Sequence, residues 1–108
     1  MLKLLLPFLF CNVLSGASFN CTKASSNVEK MICTDVFLSE LDTQMGTLYK
    51  EASKSTTNKK ELLDNQRIWI KERENCATAD CISSTTTNRI TQLENLISTK
   101  SQDISTNI

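Results

Sequence analysis

The chain has 108 residues, with 12 basic and 12 acidic side chains, five cysteines and no histidine. A chain of this length forms one small domain, and its balanced charge provides no concentrated basic face for nucleic acid or an anionic membrane. The lack of histidine removes the usual general base of serine and cysteine hydrolases.

The N-terminal segment has the layout of a secretory signal peptide. Lys3 is followed by an apolar run that ends at Leu14, and Ser15 and Ala17 are the small residues that a signal peptidase accepts. We therefore predict cleavage after Ala17, which removes residues 1–17. The mature chain would begin at Ser18 and would be periplasmic or secreted.

The two alternatives to cleavage are a membrane anchor and a lipoprotein, and the segment fits each of them less well. A membrane anchor needs about 20 apolar residues, and Asn12 interrupts the run. Lipidation at Cys11 needs small residues before the cysteine, whereas Phe10 is large. Cleavage also removes Lys3 from a balanced set of charges, which leaves a net charge of −1. We expect no membrane span in the mature chain.

Helices are the expected secondary structure after residue 17. This part of the chain has no proline and a single glycine, Gly46, and no stretch alternates apolar and polar residues as a strand would. The first helix is predicted to begin at Ser26, where the Ser26 hydroxyl and the Glu29 carboxylate can form a capping box, and to end near Cys33. A second helix is predicted to follow with Asp35 as its N-cap.

The apolar pattern extends this prediction to the rest of the chain. The second helix has a buried stripe at three- and four-residue steps: Leu38, Leu41, Met45, Leu48, Tyr49 and Ala52. The polar run 53–58 ends it, and Asn58 is the predicted N-cap of a third helix, one face of which carries Leu62, Gln66, Trp69, Arg73 and Cys76. A fourth helix is predicted from Asp80, with Ile82, Arg89, Leu93, Leu96 and Ile97 on its buried face. Residues 99–108 are expected to be a frayed polar tail, so the folded domain would span residues 18–98.

Cleavage after Ala17 removes Cys11 and leaves four cysteines. Four cysteines in a short exported chain predict two disulfide bonds. Cys76 and Cys81 would be about 140° apart on an unbroken helix, so a bond between them requires a turn at residues 77–80, where the capping pattern also places one. Cys21 would then pair with Cys33, although four cysteines allow three connectivities. Loop entropy makes the longer bridge worth about 3 kcal/mol and the shorter one about 2 kcal/mol. The prediction is an all-α fold, a small bundle of about four helices stapled by two disulfides.

The sequence lacks the usual patterns of catalytic and metal sites. Gly46 alone cannot supply a nucleophile elbow, a phosphate loop or a dinucleotide turn, and the cysteine spacings differ from the close pairs of structural zinc sites. Glu72 and Glu74 are two residues apart on a predicted helix, so their side chains diverge instead of converging as a glycosidase pair does. We predict no enzyme activity, no cofactor and no metal.

The densest polar group is formed by Gln66, Arg67, Trp69 and Arg73 on the third helix. It could form a recognition patch. The interpretation that we favour places Trp69 in the core, with the stem of Arg73 packed beside it and the guanidinium paired to a carboxylate such as Asp42.

The second helix also contains Tyr49 and the single glycine of the mature chain, Gly46. Tyr49 is expected in the core, with its hydroxyl near the surface. Gly46 costs about 1 kcal/mol in a helix interior, so it either permits close approach of another helix or marks a slight kink.

The four cysteines lie within an ordered set of motifs: Phe19-x-Cys21, Ala24, Glu29-x-x-Ile32-Cys33, Leu38-Ser39-x-Leu41-Asp42, Tyr49, Gln66-Arg67-x-Trp69-x-x-x-Arg73-x-x-Cys76 and Cys81. This set resembles the LprI-type lysozyme inhibitor family, and the resemblance extends from Phe19 to Leu96. It implies a helical, exported domain and, for some members, inhibition of lysozyme.

We therefore predict a secreted or periplasmic binding protein that inhibits a lysozyme-type muramidase through a protein–protein contact. The alternative is an envelope interaction module with a different protein partner and no inhibitory role. A net charge of −1 would steer a basic lysozyme only weakly. The motif residues are expected to serve the core or ion pairs, and none is assigned an inhibitory role: Glu29, Leu41, Asp42, Tyr49, Gln66, Arg67, Trp69 and Arg73.

Overall fold

The computed structural model describes residues 17–106, with side chains for residues 17–99. Residues 1–16 of the predicted signal peptide and residues 107–108 lie outside the described part of the chain. A short 3₁₀ helix, Cys21–Lys23, precedes four α-helices: α1, Asn27–Thr34; α2, Val36–Ser55; α3, Lys59–Arg73; and α4, Ala79–Thr106. Residues 17–106 contain no β-strand. The predicted all-α fold with about four helices is confirmed.

Side-chain caps begin the first three α-helices at the predicted residues. Ser26 Oγ accepts a hydrogen bond from the backbone N–H of Glu29 at 3.0 Å, and Glu29 Oε1 accepts one from the backbone N–H of Ser26 at 3.4 Å. Asp35 accepts hydrogen bonds from two backbone N–H groups of α2, and Asn58 accepts one from α3. Each cap satisfies backbone donors that have no partner within the first helical turn.

Both ends of α4 differ from the prediction. The Oγ1 of Thr78, and not Asp80, accepts a hydrogen bond from a backbone N–H of the first turn, that of Cys81, at 3.1 Å. Because Thr78 begins the helix earlier, Asp80 lies within the first turn, where its negative charge still favours the helix dipole. At the other end the helix continues past Ser98 to Thr106, since this segment has no glycine or proline to stop it.

Two disulfide bonds staple the bundle. Cys21 is bonded to Cys33 with a Cα–Cα distance of 5.8 Å, and Cys76 is bonded to Cys81 with a distance of 5.5 Å, both in the ordinary range. The first ties the 3₁₀ helix to the end of α1, and the second spans the corner between α3 and α4. The favoured connectivity is confirmed.

The buried apolar side chains form two clusters. The larger one joins α2, α3 and α4 and consists of Met45, Ala52, Leu62, Trp69, Ile90 and Leu93. The smaller one joins α1, the start of α2 and the α3–α4 corner and consists of Val28, Ile32, Leu38, Cys76 and Ile82. Leu41 and Tyr49 pack, partly buried, against the larger cluster. Within residues 17–106, no helix combines the length and the hydrophobicity that crossing a bilayer requires.

Candidate functional site

A buried ion pair links α2 to α3. Arg73 Nη1 donates to Asp42 Oδ1 at 2.6 Å, and the two side chains are only 5% and 1% exposed. The guanidinium carbon of Arg73 lies 4.5 Å from the centroid of the Trp69 ring, a distance typical of a cation–π contact. Trp69 is itself 6% exposed, and its Nε1 donates to the backbone carbonyl of Thr85 at 3.0 Å. This is the arrangement that the sequence favoured over a recognition patch.

The second oxygen of Asp42 is bound by the segment that precedes the 3₁₀ helix. The backbone nitrogen and the Oγ of Ser18 donate to Asp42 Oδ2 at 2.7 and 2.6 Å. Both carboxylate oxygens are therefore occupied by short hydrogen bonds. Asp42 thus ties α2 both to α3 and to the segment before the 3₁₀ helix, which is a structural role.

Gly46 provides the space for this contact. It lies one helical turn after Asp42, and a Cβ atom built on Gly46 would lie 2.8 Å from the Cβ of Ser18. Two sp³ carbons cannot approach so closely without a shift of one of them. Of the two sequence interpretations of Gly46, close approach is correct, but the approaching segment is the bend at Ser18 and not a helix.

A second buried cation, Arg89, lies on α4. Its Nε donates to Gln66 Oε1 at 2.9 Å and its Nη1 donates to Gln92 Oε1 at 3.1 Å. Gln66 Nε2 lies 3.2 Å from the Sδ of Met45, which completes a link across α2, α3 and α4. Burial lowers the pKa of Arg89, and neither of the two ion pairs among the described side chains includes it.

Sequence reasoning placed Arg89 on the inner face of the fourth helix but did not select it as a site residue. The available signal was an arginine at a core position of a helical stripe, between Ile82 and Leu93. Such a cation needs a buried partner. Its partners are amides, Gln66 and Gln92, whose pairing with an arginine has no sequence signature.

An open groove of about 820 Å³ lies between α3 and α4 and reaches the end of α2. Leu62, Trp69 and Arg89 contribute to its buried base. Ile68 from α3 and Leu96 from α4 contribute apolar walls and are 55% and 52% exposed. The groove thus combines exposed apolar side chains with a rigid base.

The exposure of Leu96 corrects the sequence prediction, which placed this residue on the buried face of the fourth helix. The buried face passes through Ile90 and Leu93, and Leu96 lies beside it, facing the groove. A three-residue step along a helix keeps two side chains on neighbouring faces, but burial also needs a covering helix. Leu96 lines the open groove, where no helix covers it, so it stays exposed.

Polar residues surround the apolar part of the groove. The amides of Asn58, Asn65 and Asn95 line it, together with the exposed carboxylates of Glu61 and Glu72. Its exposed charges are therefore acidic, because the cationic Arg89 is buried in the base. Glu74, in contrast, caps the end of α3 and does not line the groove.

The remaining motif residues lie away from the groove. Glu29 belongs to the cap of α1, where a hydrogen bond from the backbone N–H of Ser25 is the main cause that lowers its pKa. Arg67 is exposed and takes part in neither ion pair found among side chains 17–99. The expectation of a core or ion-pair role is therefore wrong for Arg67, which shares the outer face of α3 with the exposed Leu63 and Ile70.

The chemistry that the groove offers is that of binding. No group of three or more histidine, cysteine, aspartate or glutamate side chains within the described residues is placed to hold a metal ion. The groove instead presents apolar walls, amide donors and acceptors, and two carboxylates.

The four helices and two local disulfides define the class of the protein as a small, disulfide-stabilised, all-α domain. The family described as "Lysozyme inhibitor LprI" matches residues 21–93. The chain therefore belongs to the LprI lysozyme inhibitor family, and the resemblance inferred from its motifs is confirmed. No curated protein and no solved structure matches the chain significantly.

Proposed function

We propose that the protein is an exported inhibitor of a lysozyme-type muramidase and that it binds this enzyme through the α3–α4 groove. The observation that carries the proposal is the family match over residues 21–93. This stretch includes the two disulfides, the Asp42–Arg73 pair and the α3 side of the groove.

The shape and chemistry of the groove support its role as the contact surface. A protein that blocks an enzyme needs complementary shape and a few buried anchors, and it needs no nucleophile. Ile68 and Leu96 are exposed and flank a base formed in part by Trp69. Covering these two side chains with a partner would remove apolar surface from water without any rearrangement of the core.

The charges at the groove suit a basic partner better than the overall charge does. The overall charge is close to zero, but Glu61 and Glu72 concentrate negative charge at the groove. Because local charge complementarity governs association rates more than net charge does, this patch would steer a basic lysozyme. Replacement of both glutamates with glutamine should slow association a few-fold at low salt and have little effect at high salt.

The proposal is tested by measuring lysis of bacterial cell walls in the presence of the exported protein. We expect micromolar protein to slow lysis by at least one lysozyme among several types. The double variant Ile68→Ser/Leu96→Ser should weaken inhibition by about ten-fold or more, since anchor residues typically contribute over 1 kcal/mol each. The matched control is Leu63→Ser/Ile70→Ser, which removes two exposed apolar side chains from the outer face of α3 and should leave inhibition unchanged.

The possible results test the inhibitor function and the groove as its contact surface separately. Unchanged lysis with every lysozyme type would refute the inhibitor proposal and would favour an interaction module for an envelope protein. Inhibition that is lost in the control but kept in the groove variant would refute the groove as the contact surface and leave the inhibitor function in place.

A further inference from the structure

Ser18 precedes the residues 21–93 that the family model matches, and it is held against Asp42 of α2. Its backbone nitrogen lies 2.7 Å from Asp42 Oδ2, and its hydroxyl lies 2.6 Å from the same oxygen. Asp42 is fully buried, and Gly46 lacks the side chain that would displace Ser18. Asp42, whose other oxygen is held by Arg73, and Gly46 thus form a site for this one backbone nitrogen.

We propose that hydrolysis of the Ala17–Ser18 peptide bond during export creates the mature N-terminus at this site, where the α-ammonium group of Ser18 forms an ion pair with Asp42. A signal peptidase adds one water molecule across the bond. Ala17 keeps the new carboxylate, and the Ser18 nitrogen leaves as an amine that takes up a proton. Ser15 and Ala17 are the small residues that such a peptidase accepts.

The charges around the site accommodate the new ammonium group. Asp42 is paired with Arg73, and the positive charge of Arg73 also acts on the nearby Glu29 carboxylate. With the α-ammonium included, the group holds two positive and two negative charges. Ser18 is exposed, so water can solvate the ammonium hydrogens that Asp42 does not accept.

The adjoining chain holds Ser18 in place after Ala17 has gone. Phe19 packs against the smaller apolar cluster, and Cys21 is bonded to Cys33. Ala17 also packs there, and cleavage removes this methyl contact. In exchange, the hydrogen bond from Ser18 to the Asp42 carboxylate acquires a charged donor as well as a charged acceptor and becomes an ion pair.

The first test is the mass of the exported protein. The full chain, expressed in a bacterium and isolated from the exported fraction, should yield an N-terminal peptide that begins at Ser18 with an unmodified amine. Any other mature N-terminus would overturn the proposal.

The second test measures whether the amine is bound. Acetylation of the α-amine at neutral pH, followed by peptide mass spectrometry, should be about ten-fold or more slower in the native protein than in urea, because a proton held by Asp42 blocks the nucleophilic nitrogen. Exposed Lys60 serves as the internal reference. Equal α-amine rates in the native and the unfolded protein would overturn the proposal.

A compensating pair of variants assigns the protection to the site. Gly46→Ala introduces the Cβ that meets Ser18 and favours the helix, so the chain stays folded while the α-amine becomes reactive. Adding Ser18→Gly removes the opposing Cβ and should restore protection. Circular dichroism confirms folding of each variant. If Gly46→Ala leaves the rate unchanged, or if Ser18→Gly fails to restore it, the assignment to this site is wrong.

Discussion

The described side chains, 17–99, form two ion pairs with the same nitrogen–oxygen distance and very different burial, so the effect of burial on an ion pair can be measured within one protein. Arg73–Asp42 and Lys60–Asp64 each have a nitrogen–oxygen distance of 2.6 Å. The side chains of the first pair are 5% and 1% exposed, and those of the second are 85% and 46% exposed. We expect Arg73→Met to lower the free energy of unfolding by about 3–5 kcal/mol, because Asp42 Oδ1 is left buried without the guanidinium that pairs with it. Lys60→Met should cost about 0.3–0.5 kcal/mol.

The expected loss is large for a domain of this size. Stability of about 0.05–0.15 kcal/mol per residue gives a domain of roughly 90 residues about 5–13 kcal/mol in total. Arg73→Met would therefore remove a quarter or more of it, visible as a lower midpoint of urea unfolding followed by far-UV circular dichroism. The double variant Asp42→Leu/Arg73→Met should cost less than the sum of the two single variants, since both buried charges of the pair are removed together. If Arg73→Met costs no more than Lys60→Met, burial is not what gives the pair its strength.

Two further predictions concern the disulfides and the cap of α1. Cys21→Ser/Cys33→Ser should lower the free energy of unfolding by about 3 kcal/mol and Cys76→Ser/Cys81→Ser by about 2 kcal/mol, because the longer loop restricts the unfolded chain more; urea unfolding measures both, and the opposite ranking would contradict the loop argument. Glu29 has a lowered pKa, chiefly through a backbone hydrogen bond at the start of α1, so its carboxylate stabilises the fold above its unfolded pKa of about 4.3 and loses this effect as the pH falls through the folded value. Glu29→Gln should therefore be destabilising at pH 7, by a difference that shrinks as the pH falls below about 4, and a melting difference that does not change with pH would argue against the cap.

The features that depend on nearby residues were predictable from the sequence. Ser26, Asp35 and Asn58 act as caps because a side-chain oxygen reaches backbone donors two or three residues ahead. The Cys76–Cys81 bond requires a turn for reasons of helical geometry alone. The cap of α4 shows the limit, since Thr78 and Asp80 are both good capping residues and the earlier one begins the helix.

The features that depend on how helices lie relative to one another were not predictable. Leu96 satisfies the helical pattern of a core residue but lines the open groove, where no helix covers it. Arg67 neighbours a buried position but faces outward. The partner of Gly46 is Ser18, which precedes the first predicted helix and carries no periodic signal. The groove itself is the result of these tertiary arrangements.

The Cys76–Cys81 bond closes the corner between α3 and α4, and the groove runs along the same two helices. The disulfide therefore restricts the angle between the two helices, and the distance between Ile68 and Leu96 across the groove depends on that angle. The six-residue loop that the Cys76–Cys81 disulfide closes has little freedom to change that angle. The width of the groove is consequently fixed in the free protein, so the binding of a partner would cost little conformational entropy.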